Sequence, residues 1–340
     1  MGSFLSKAER GATLLHFAAA FGMYLLNSIT TLQILFWTYL FIRPFSLKNC
    51  LKLMIFVQQN VVASFVYAMY CIPNNCKLVV TGDALPKGES SLCIVNHQEI
   101  DWLPAYVLSA DQGVLGSFRT IIKKSVSYIP VVGWTMYLAY WPFISRDFAK
   151  DGPYLERLFK VYKASDMPLN LWLYPEGTRQ TPKGLKNSQE YARKNGYPVF
   201  DNVLLPRPKG FIVTRHCLKG TVDYVYDMTF AYKGWEGQKC PSVTGFIMRD
   251  PRKRYEIHVD VRRIPLSSLP EDDGELKQWL LDSFARKDKL LSEFYKTGAF
   301  AGERRDVKVS SRFLSRAFLC NAVCNILVMA STYTFYRLLW

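Results

Sequence analysis

Residues 96–102 read Asn-His-Gln-Glu-Ile-Asp-Trp, and they place a histidine and an aspartate four positions apart. At this spacing Asp101 could accept a hydrogen bond from one imidazole nitrogen of His97 and so fix the tautomer. The other nitrogen would then be free to take a proton from a hydroxyl group. His97 and Asp101 are therefore the candidate catalytic residues. The alternative interpretation is a structural histidine beside an aspartate that caps a helix.

A second polar segment, Tyr-Pro-Glu-Gly-Thr-Arg, occupies residues 174–179. Gly177 allows a ligand to approach the backbone closely, and Arg179 offers a planar fork of donors suited to phosphate oxygens. Glu176 could orient that arginine or position the backbone, and Thr178 stands between the two. The alternative interpretation is a surface turn with a salt bridge.

Two further segments bring more cations. Residues 143–146, Phe-Ile-Ser-Arg, end in Arg146, and residues 204–210, Leu-Leu-Pro-Arg-Pro-Lys-Gly, contain Pro206 with two cations after it. We predict that all four polar segments follow strands. Because α/β sheets form their binding sites at the ends of strands, the segments are expected to share one site.

The elements that must position these residues alternate between strands and helices. Short apolar runs bounded by turn residues predict strands at 77–81, 92–95 and 169–174, and strand-like segments follow at 222–232 and 255–261. Helical spacing predicts helices at 101–110, 131–140, 153–164, 189–194 and 275–295, and Asp101 could cap the first of them. This alternation predicts an α/β fold, with a mixed sheet flanked by helices.

Three stretches contain no Lys, Arg, Asp or Glu, and they are residues 11–42, 53–76 and 317–336. Since roughly 20 apolar residues span a bilayer, each stretch is long enough to cross one. Aromatic residues near the edges fit an interfacial belt, and they are Trp37, Tyr39, Tyr70, Tyr336 and Trp340. We predict three parts: N-terminal membrane helices over 1–76, an α/β catalytic domain over 77–310 and a C-terminal membrane helix over 311–340. The alternative is that these stretches are buried core helices.

Basic residues flank the first stretch on both sides, with Lys7 and Arg10 before it and Arg43, Lys48 and Lys52 after it. A single span would place one of these clusters on the wrong side of the membrane by the positive-inside rule. Asn27 and Ser28 lie near the middle of the stretch. They favour the hypothesis of a re-entrant hairpin, with both flanks facing the cytosol.

The chain of 340 residues has a formal net charge of +15, from 43 Lys and Arg against 28 Asp and Glu. Such a balance suggests a polyanionic partner: nucleic acid, anionic lipid or a phosphate-rich small molecule. The charges are dispersed and no nucleic-acid-binding motif appears, so binding of nucleic acid is not expected. Too few apolar stretches are present for a transporter. The eight cysteines include no paired CxxC motif, so a zinc site is not expected.

Together the four polar segments resemble the four motifs of the glycerolipid acyltransferase family, which contains the lysophosphatidic acid acyltransferases. In that family a His–Asp motif comes first, an arginine-bearing strand second, a Glu-Gly-Thr-Arg motif third and a proline motif fourth. The order and rough spacing agree here. Residues 204–211, 240–242 and 262–269 are similar to the eukaryotic branch that includes lysocardiolipin and lysophosphatidylinositol acyltransferases.

The resemblance implies direct transfer of a fatty acyl group from acyl-CoA to the sn-2 hydroxyl of 1-acyl-sn-glycerol-3-phosphate, which makes phosphatidic acid. Lysophosphatidylinositol and lysocardiolipin are the alternative acceptors. It also implies no metal and no cofactor besides the acyl-CoA donor. The expected partners are the lipid bilayer and the two substrates, and the expected location is the endoplasmic reticulum membrane. The oligomeric state stays open.

The resemblance assigns roles residue by residue. His97 would remove the proton of the acceptor hydroxyl, and Asp101 would orient His97. The acceptor phosphate would be held by Arg146 and by the Glu-Gly-Thr-Arg segment, which comprises Glu176, Gly177, Thr178 and Arg179. Pro206 would shape the acyl-CoA pocket.

The first motif departs from the family in one respect, because three residues rather than four separate His97 from Asp101. We expect a loop one residue tighter in which Asp101 still bonds to His97. Otherwise Glu99 takes part, or the chain is an impaired enzyme. The rival function is then a non-catalytic membrane scaffold that kept the fold, although the intact Arg146 and residues 176–179 argue against it.

Overall fold

A seven-stranded mixed sheet organises the residues that the computed structural model describes, namely 7–71, 75–165, 168–235, 240–250 and 252–339. From one edge to the other, its strands are β3 (Phe118–Thr120), β6 (Asn170–Leu173), β2 (Ser91–Val95), β7 (Tyr224–Lys233), β8 (Tyr255–Pro265), β1 (Cys76–Gly82) and β9 (Arg304–Val307). The first four are parallel, as are β8 and β1, whereas β7 with β8 and β1 with β9 are antiparallel. β4 (Ile122–Lys123) and β5 (Phe143–Ile144) form a separate parallel pair.

Helices flank the sheet and extend from it near both termini of the sequence. In chain order they are α1 (Lys7–Phe41), α2 (Leu47–Val66), α3 (Trp102–Asp111), α4 (Val132–Leu138), α5 (Phe148–Ser165), α6 (Pro182–Lys194), α7 (Pro208–Leu218), α8 (Val243–Ile247), α9 (Asp273–Thr297) and α10 (Ser311–Leu339). The predicted fold class, a mixed sheet flanked by helices with apolar helices near both termini, is confirmed.

Alternation along the central strands divides the hydrophobic core between the two faces of the sheet. In β2, Cys93 and Val95 belong to one cluster of buried side chains and Leu92 and Ile94 to the other, because successive side chains of a strand point to opposite faces. Residues of α2 and α3 complete the first cluster, and residues of α5, α7 and α9 complete the second. Because both faces of β2 are covered, residues 92–95 form a continuous apolar run in the sequence.

The second apolar stretch is largely a core helix of this α/β body. Cys50, Leu51 and Met54 of α2 lie in the same buried cluster as the sheet, and 56% of the most apolar part of the helix is buried inside the protein. Gly116 permits the close packing, because a Cβ there would lie 2.4 Å from the carbonyl oxygen of Ile55. The helix begins six residues before the apolar stretch 53–76 and ends ten residues before the stretch does. Residues 72–74 of the stretch lie outside the described residues. The domain boundary after residue 76 stays a prediction.

The first apolar stretch forms one continuous helix, so the hypothesis of a re-entrant hairpin is wrong. α1 has 35 residues, which gives a length of about 50 Å at 1.5 Å per residue. Asn27 and Ser28, the residues that suggested a turn, are buried within it. Asn27 Oδ1 accepts a hydrogen bond from Asn325 Nδ2 at 2.9 Å. Asn27 therefore serves a contact with α10, and the polar pair does not reverse the chain.

Polar side chains also join α10 to α2. Asn321 Nδ2 donates to the carbonyl oxygen of Asn60 at 2.9 Å and contacts Ser64 Oγ. Among the described residues, three helices are long and apolar enough to cross a membrane by length and composition: Gly11–Phe41, Leu47–Val66 and Ser311–Thr334. Trp340, which was assigned to the aromatic belt, lies outside the described residues.

Candidate active site

His97 stands just beyond the end of β2, and its backbone is fixed from two sides. Its N–H donates to Glu176 Oε1 at 2.8 Å, and its carbonyl oxygen accepts from the N–H of Gln180 at 2.9 Å. Both partners follow the neighbouring strand β6. The preceding residue, Asn96, pairs with β7, since its side chain donates to the carbonyl oxygen of Phe230 and accepts from the N–H of Phe230.

Nδ1 of the His97 imidazole lies 3.1 Å from Oδ2 of Asp101, which is buried. Asp101 Oδ1 accepts from the hydroxyl of Tyr232 at 2.7 Å, and Oδ2 also accepts from the N–H of Gln98. Burial raises the pKa of the Tyr232 phenol well above its ordinary value of 10, so this hydroxyl stays protonated and donates to Asp101. The shortened spacing therefore still brings the carboxylate to the ring.

Asp101 occupies the residue before α3, but its side chain makes no capping hydrogen bond. The prediction that Asp101 caps this helix is wrong, because His97, Gln98 and Tyr232 already engage both carboxylate oxygens. The His97 side chain is 26% exposed, and its ring packs on Tyr174 with the centroids 4.5 Å apart. Within the described part of the chain Nε2 has no hydrogen-bond partner, so it is the nitrogen open to a substrate.

Glu176 is buried, and its two oxygens serve two different backbone segments. Oε1 accepts from His97, and Oε2 accepts from the N–H of Leu204 at 3.2 Å. Burial raises the pKa of this carboxyl to about 8, against the opposing effect of the two backbone donors. Of the two roles that the sequence left open, this geometry favours positioning of the backbone over orientation of Arg179. Because both of its oxygens accept from backbone N–H groups, Glu176 does not belong with the residues expected to hold a phosphate.

Two arginine side chains contact the turn at Gly177. Arg146 Nη2 donates to the carbonyl oxygen of Gly177 at 3.0 Å, and a Cβ at Gly177 would lie 3.3 Å from Cδ of Arg207. Gly177 has a φ of 71°, which glycine adopts at little cost. Arg146 itself has a φ of 69°, an uncommon conformation for a residue with a side chain. Such strain is concentrated at functional sites.

The remaining predicted residues lie around the same turn. Arg179 Nη1 lies 3.6 Å from Glu99 Oε1, and the same oxygen accepts from the N–H of Val243 at 3.2 Å. The contacts of Glu99 thus lead to Arg179 and α8, whereas those of Asp101 lead to His97. Thr178 is exposed and Pro206 is buried.

The expectation that all four polar segments follow strands is wrong for the last of them. Residues 204–207 lie in a loop between α6 and α7, and Pro208 begins α7. The loop reaches the site by backbone contacts, because the N–H of Arg207 donates to the carbonyl oxygen of Pro175 at 2.7 Å. Arg146 follows β5, which belongs to the small sheet. Only the segments of His97 and Glu176 follow strands of the large sheet.

The structure adds residues that the sequence did not single out. Gln98 Nε2 donates to Gln180 Oε1 at 2.8 Å, and Gln180 Nε2 donates to the carbonyl oxygen of Asn202 at 3.0 Å. The position of Gln180 directly after the Glu-Gly-Thr-Arg segment was a usable signal. Tyr232 carried none, because 131 positions separate it from Asp101.

Comparisons with known proteins point to one family. A family model described as Acyltransferase matches residues 77–214, and one described as Acyltransferase C-terminus matches residues 251–320. A probable 1-acyl-sn-glycerol-3-phosphate acyltransferase 5 of Arabidopsis thaliana is 30% identical over 326 residues, which cover 94% of this chain and 84% of the relative.

Two other relatives match over a shorter region. The human 1-acyl-sn-glycerol-3-phosphate acyltransferase gamma is 39% identical over 220 residues, which cover 64% of this chain and 56% of the relative. The 1-acyl-sn-glycerol-3-phosphate acyltransferase 2 of Brassica napus is 35% identical over 219 residues, which cover 64% of this chain and 54% of the relative. The match thus spans only a little over half the length of these two relatives.

Proposed function

Because the chain belongs to the glycerolipid acyltransferase family, we propose that it is a lysophosphatidic acid acyltransferase. It transfers a fatty acyl group from acyl-CoA to the sn-2 hydroxyl of 1-acyl-sn-glycerol-3-phosphate, making phosphatidic acid. The names of the relatives support this acceptor. The observation that carries the proposal is a His97–Asp101 pair, together with Arg146 and Arg207 at the turn of Gly177.

In the proposed reaction, His97 Nε2 takes the proton of the acceptor hydroxyl while the hydroxyl oxygen bonds to the thioester carbonyl carbon. The carbon–sulfur bond then breaks, and the CoA thiolate leaves with the proton that the imidazolium returns. Asp101 holds Nδ1 and so keeps Nε2 directed at the substrate. The acyl group passes directly between the substrates, without an acyl-enzyme, a metal or a further cofactor.

The proposed phosphate site comprises Arg146, Arg179 and the backbone at Gly177 and Thr178. Guanidinium groups bind phosphate through charge-assisted and often bidentate hydrogen bonds. We assign Glu176 to the positioning of His97 and of residues 204–206, since a buried carboxyl bonded to two backbone amides offers nothing to a phosphate. Pro206 would border the acyl-CoA pocket. We further propose the endoplasmic reticulum membrane as the location, an expectation that rests on the family resemblance.

The test is acyl transfer by the purified protein in detergent, with oleoyl-CoA and a panel of lysophospholipids. For His97→Ala we expect turnover to fall by about 10²–10⁴-fold, the usual contribution of a general base. His216→Ala is the matched control, because His216 bonds to Asp273 on α9 and lies outside the candidate site. Unchanged turnover in His97→Ala would remove His97 from the mechanism.

Two more variants in the same assay separate Asp101 from Glu99. Asp101→Asn should lose most of its activity, because an amide supports the wrong tautomer of His97, whereas Glu99→Gln should keep turnover. The acceptor panel distinguishes phosphatidic acid synthesis from acylation of lysophosphatidylinositol or lysocardiolipin. No transfer to any acceptor by the folded protein would favour the non-catalytic scaffold.

A further inference from the structure

A lysine of α9 is completely buried beneath the two strands that lead into the candidate site. Lys287 is 0% exposed, and its Nζ donates to the carbonyl oxygens of Ile94 in β2, at 3.2 Å, and Met228 in β7, at 2.6 Å. Its third contact is with the carboxylate of Asp227, which is also buried. An ammonium has three donors, so the three acceptors satisfy it completely.

The two carbonyl groups lie a few residues before two side chains of the candidate site. Ile94 precedes His97 by three residues, and Met228 precedes Tyr232, the donor to Asp101, by four. The β2–β7 ladder ends at the pair Val95–Met228. Beyond it, the Asn96 side chain and the Tyr232 hydroxyl on Asp101 join the two segments among the described residues. Lys287 therefore ties β2 to β7 where their ladder ends, shortly before His97 and Tyr232.

The next residue of α9 fixes the loop on the other side of the site. Asp288 Oδ1 accepts from the N–H groups of Asp201, at 2.9 Å, and Asn202, at 2.6 Å. Asn202 connects this loop to the site. Its carbonyl oxygen accepts from the side chain of Gln180, and the backbone N–H of Gln180 donates to the carbonyl oxygen of His97. Two residues further on, Leu204 donates to Glu176.

We propose that Lys287 and Asp288 are positioning residues of the acyl-transfer site, through which α9 sets the end of β2, the middle of β7 and the loop 201–206. This inference rests on the proposed function for its kinetic readout. It also gives a reason why the segment 251–320, which matches a separate family model, accompanies the segment that carries His97.

Burial alone gives a different explanation, in which Lys287 only stabilises the fold. A double variant separates the two. Lys287→Met leaves the buried Asp227 carboxylate without its ammonium, although Arg262 Nη2 still donates to Oδ2 at 2.7 Å. Asp227→Asn combined with Lys287→Met removes the buried charge as well and leaves an amide oxygen that can accept from Arg262. The double variant should regain thermal stability. It should not regain turnover, because the carbonyl groups of Ile94 and Met228 still lack their donor.

The experiment measures kcat, KM and Tm for Lys287→Met, the double variant and Asp288→Ala. The matched controls are Lys289→Met and Glu293→Gln, exposed positions of the same helix. We expect kcat to fall by about 10- to 100-fold in the three test variants with little change in KM, since small displacements of catalytic groups cost this much. Turnover at the control level in the double variant and in Asp288→Ala would overturn the proposal.

Backbone hydrogen exchange gives a readout that does not depend on the reaction. Residues 94–101 should exchange faster in the double variant, and residues 201–206 should exchange faster in Asp288→Ala, than in the controls. Unchanged exchange in these segments would overturn the positioning role. An inactive wild type with faster exchange in the variants would instead refute the proposed function and leave the positioning role supported.

Discussion

At the scale of single residues, Glu176 carries the least expected chemistry. A carboxyl in an arginine-bearing segment suggests an ion pair, yet this one is buried and bonded to two backbone amides. Its pKa is raised to about 8, first of all by burial. The carboxyl therefore binds a proton more tightly in the folded protein than in the unfolded chain.

This shift predicts a stability difference that depends on pH. The folded state gains stability from the raised pKa below the ordinary value of 4.5, and loses it as the pH rises through about 8. Glu176→Gln cannot titrate at this position. The Tm of the wild type minus the Tm of this variant should therefore fall from about pH 5 to about pH 9. Each kcal/mol corresponds to about 2–4 °C in larger domains.

The control for this measurement is Glu190→Gln, an exposed position on α6. Its difference in Tm from the wild type should stay constant over the same range, because the other titrating groups are common to all three proteins. A signed difference that stays constant or rises with pH for Glu176→Gln would show that the pKa of the carboxyl is not raised in the folded protein.

At the scale of elements, the arginines in and around the candidate phosphate site come from three separate pieces of chain. Arg146 follows β5, Arg179 follows β6, and Arg207 lies at the start of α7. Arg146 and Arg207 contact Gly177 itself, whereas the Arg179 guanidinium lies beside Glu99. Arg207 was recognised in the sequence only as one more cation, because nothing in the local pattern shows where it packs.

We therefore predict that Arg207 contributes to binding of the acceptor phosphate. Arg207→Gln should raise KM for lysophosphatidic acid by about tenfold or more, since a hydrogen bond to a charged group is worth about 1.5–3 kcal/mol. The effect should vanish with 1-monoacylglycerol, which lacks the phosphate. Arg193→Gln, an exposed arginine of α6, is the control. An equal effect on both acceptors would assign Arg207 to the donor or to the fold.

At the scale of the whole molecule, an aromatic surface extends from the apolar helices onto the α/β body. Trp134 and Tyr137 of α4 are exposed, the latter by 67%. They border a groove of about 800 Å³ together with residues of α1 and α10. Trp and Tyr are enriched where a membrane meets water. Because α1 and α10 are candidate membrane helices, we expect α4 to contact the bilayer beside them.

This contact predicts an activity difference between membrane and solution. The double variant Trp134→Ser with Tyr137→Ser should lower transfer to long-chain lysophosphatidic acid in vesicles by about tenfold or more, from the lost apolar burial. Transfer to a short-chain, water-soluble acceptor should be unchanged. Tyr191→Ser on α6, with Tyr191 56% exposed, is the matched control. Equal losses with both acceptors would place the aromatic pair in the fold rather than at the membrane.

The sequence by itself determined the class of the fold and the family. Short apolar runs marked β1, β2, β6, β7 and β8, because buried strands leave a local pattern that needs no knowledge of neighbours. It missed β3, β4, β9, α7 and α8, which are short or depend on contacts made elsewhere, and predicted only the last half of α6. Four short motifs in order led to the glycerolipid acyltransferases, and the comparisons confirmed that membership.

Only the tertiary structure decided how the motif residues are held. The contact of Lys287 with Ile94 joins positions 193 residues apart, and that of Asn325 with Asn27 joins positions 298 apart. No local pattern encodes such pairs. The Asn325 contact accounts for a polar residue buried within α1, and Glu176 likewise reaches His97 across 79 positions. Periodicity reports which face of an element is buried, whereas the partner of a buried polar group is fixed only when distant segments pack together.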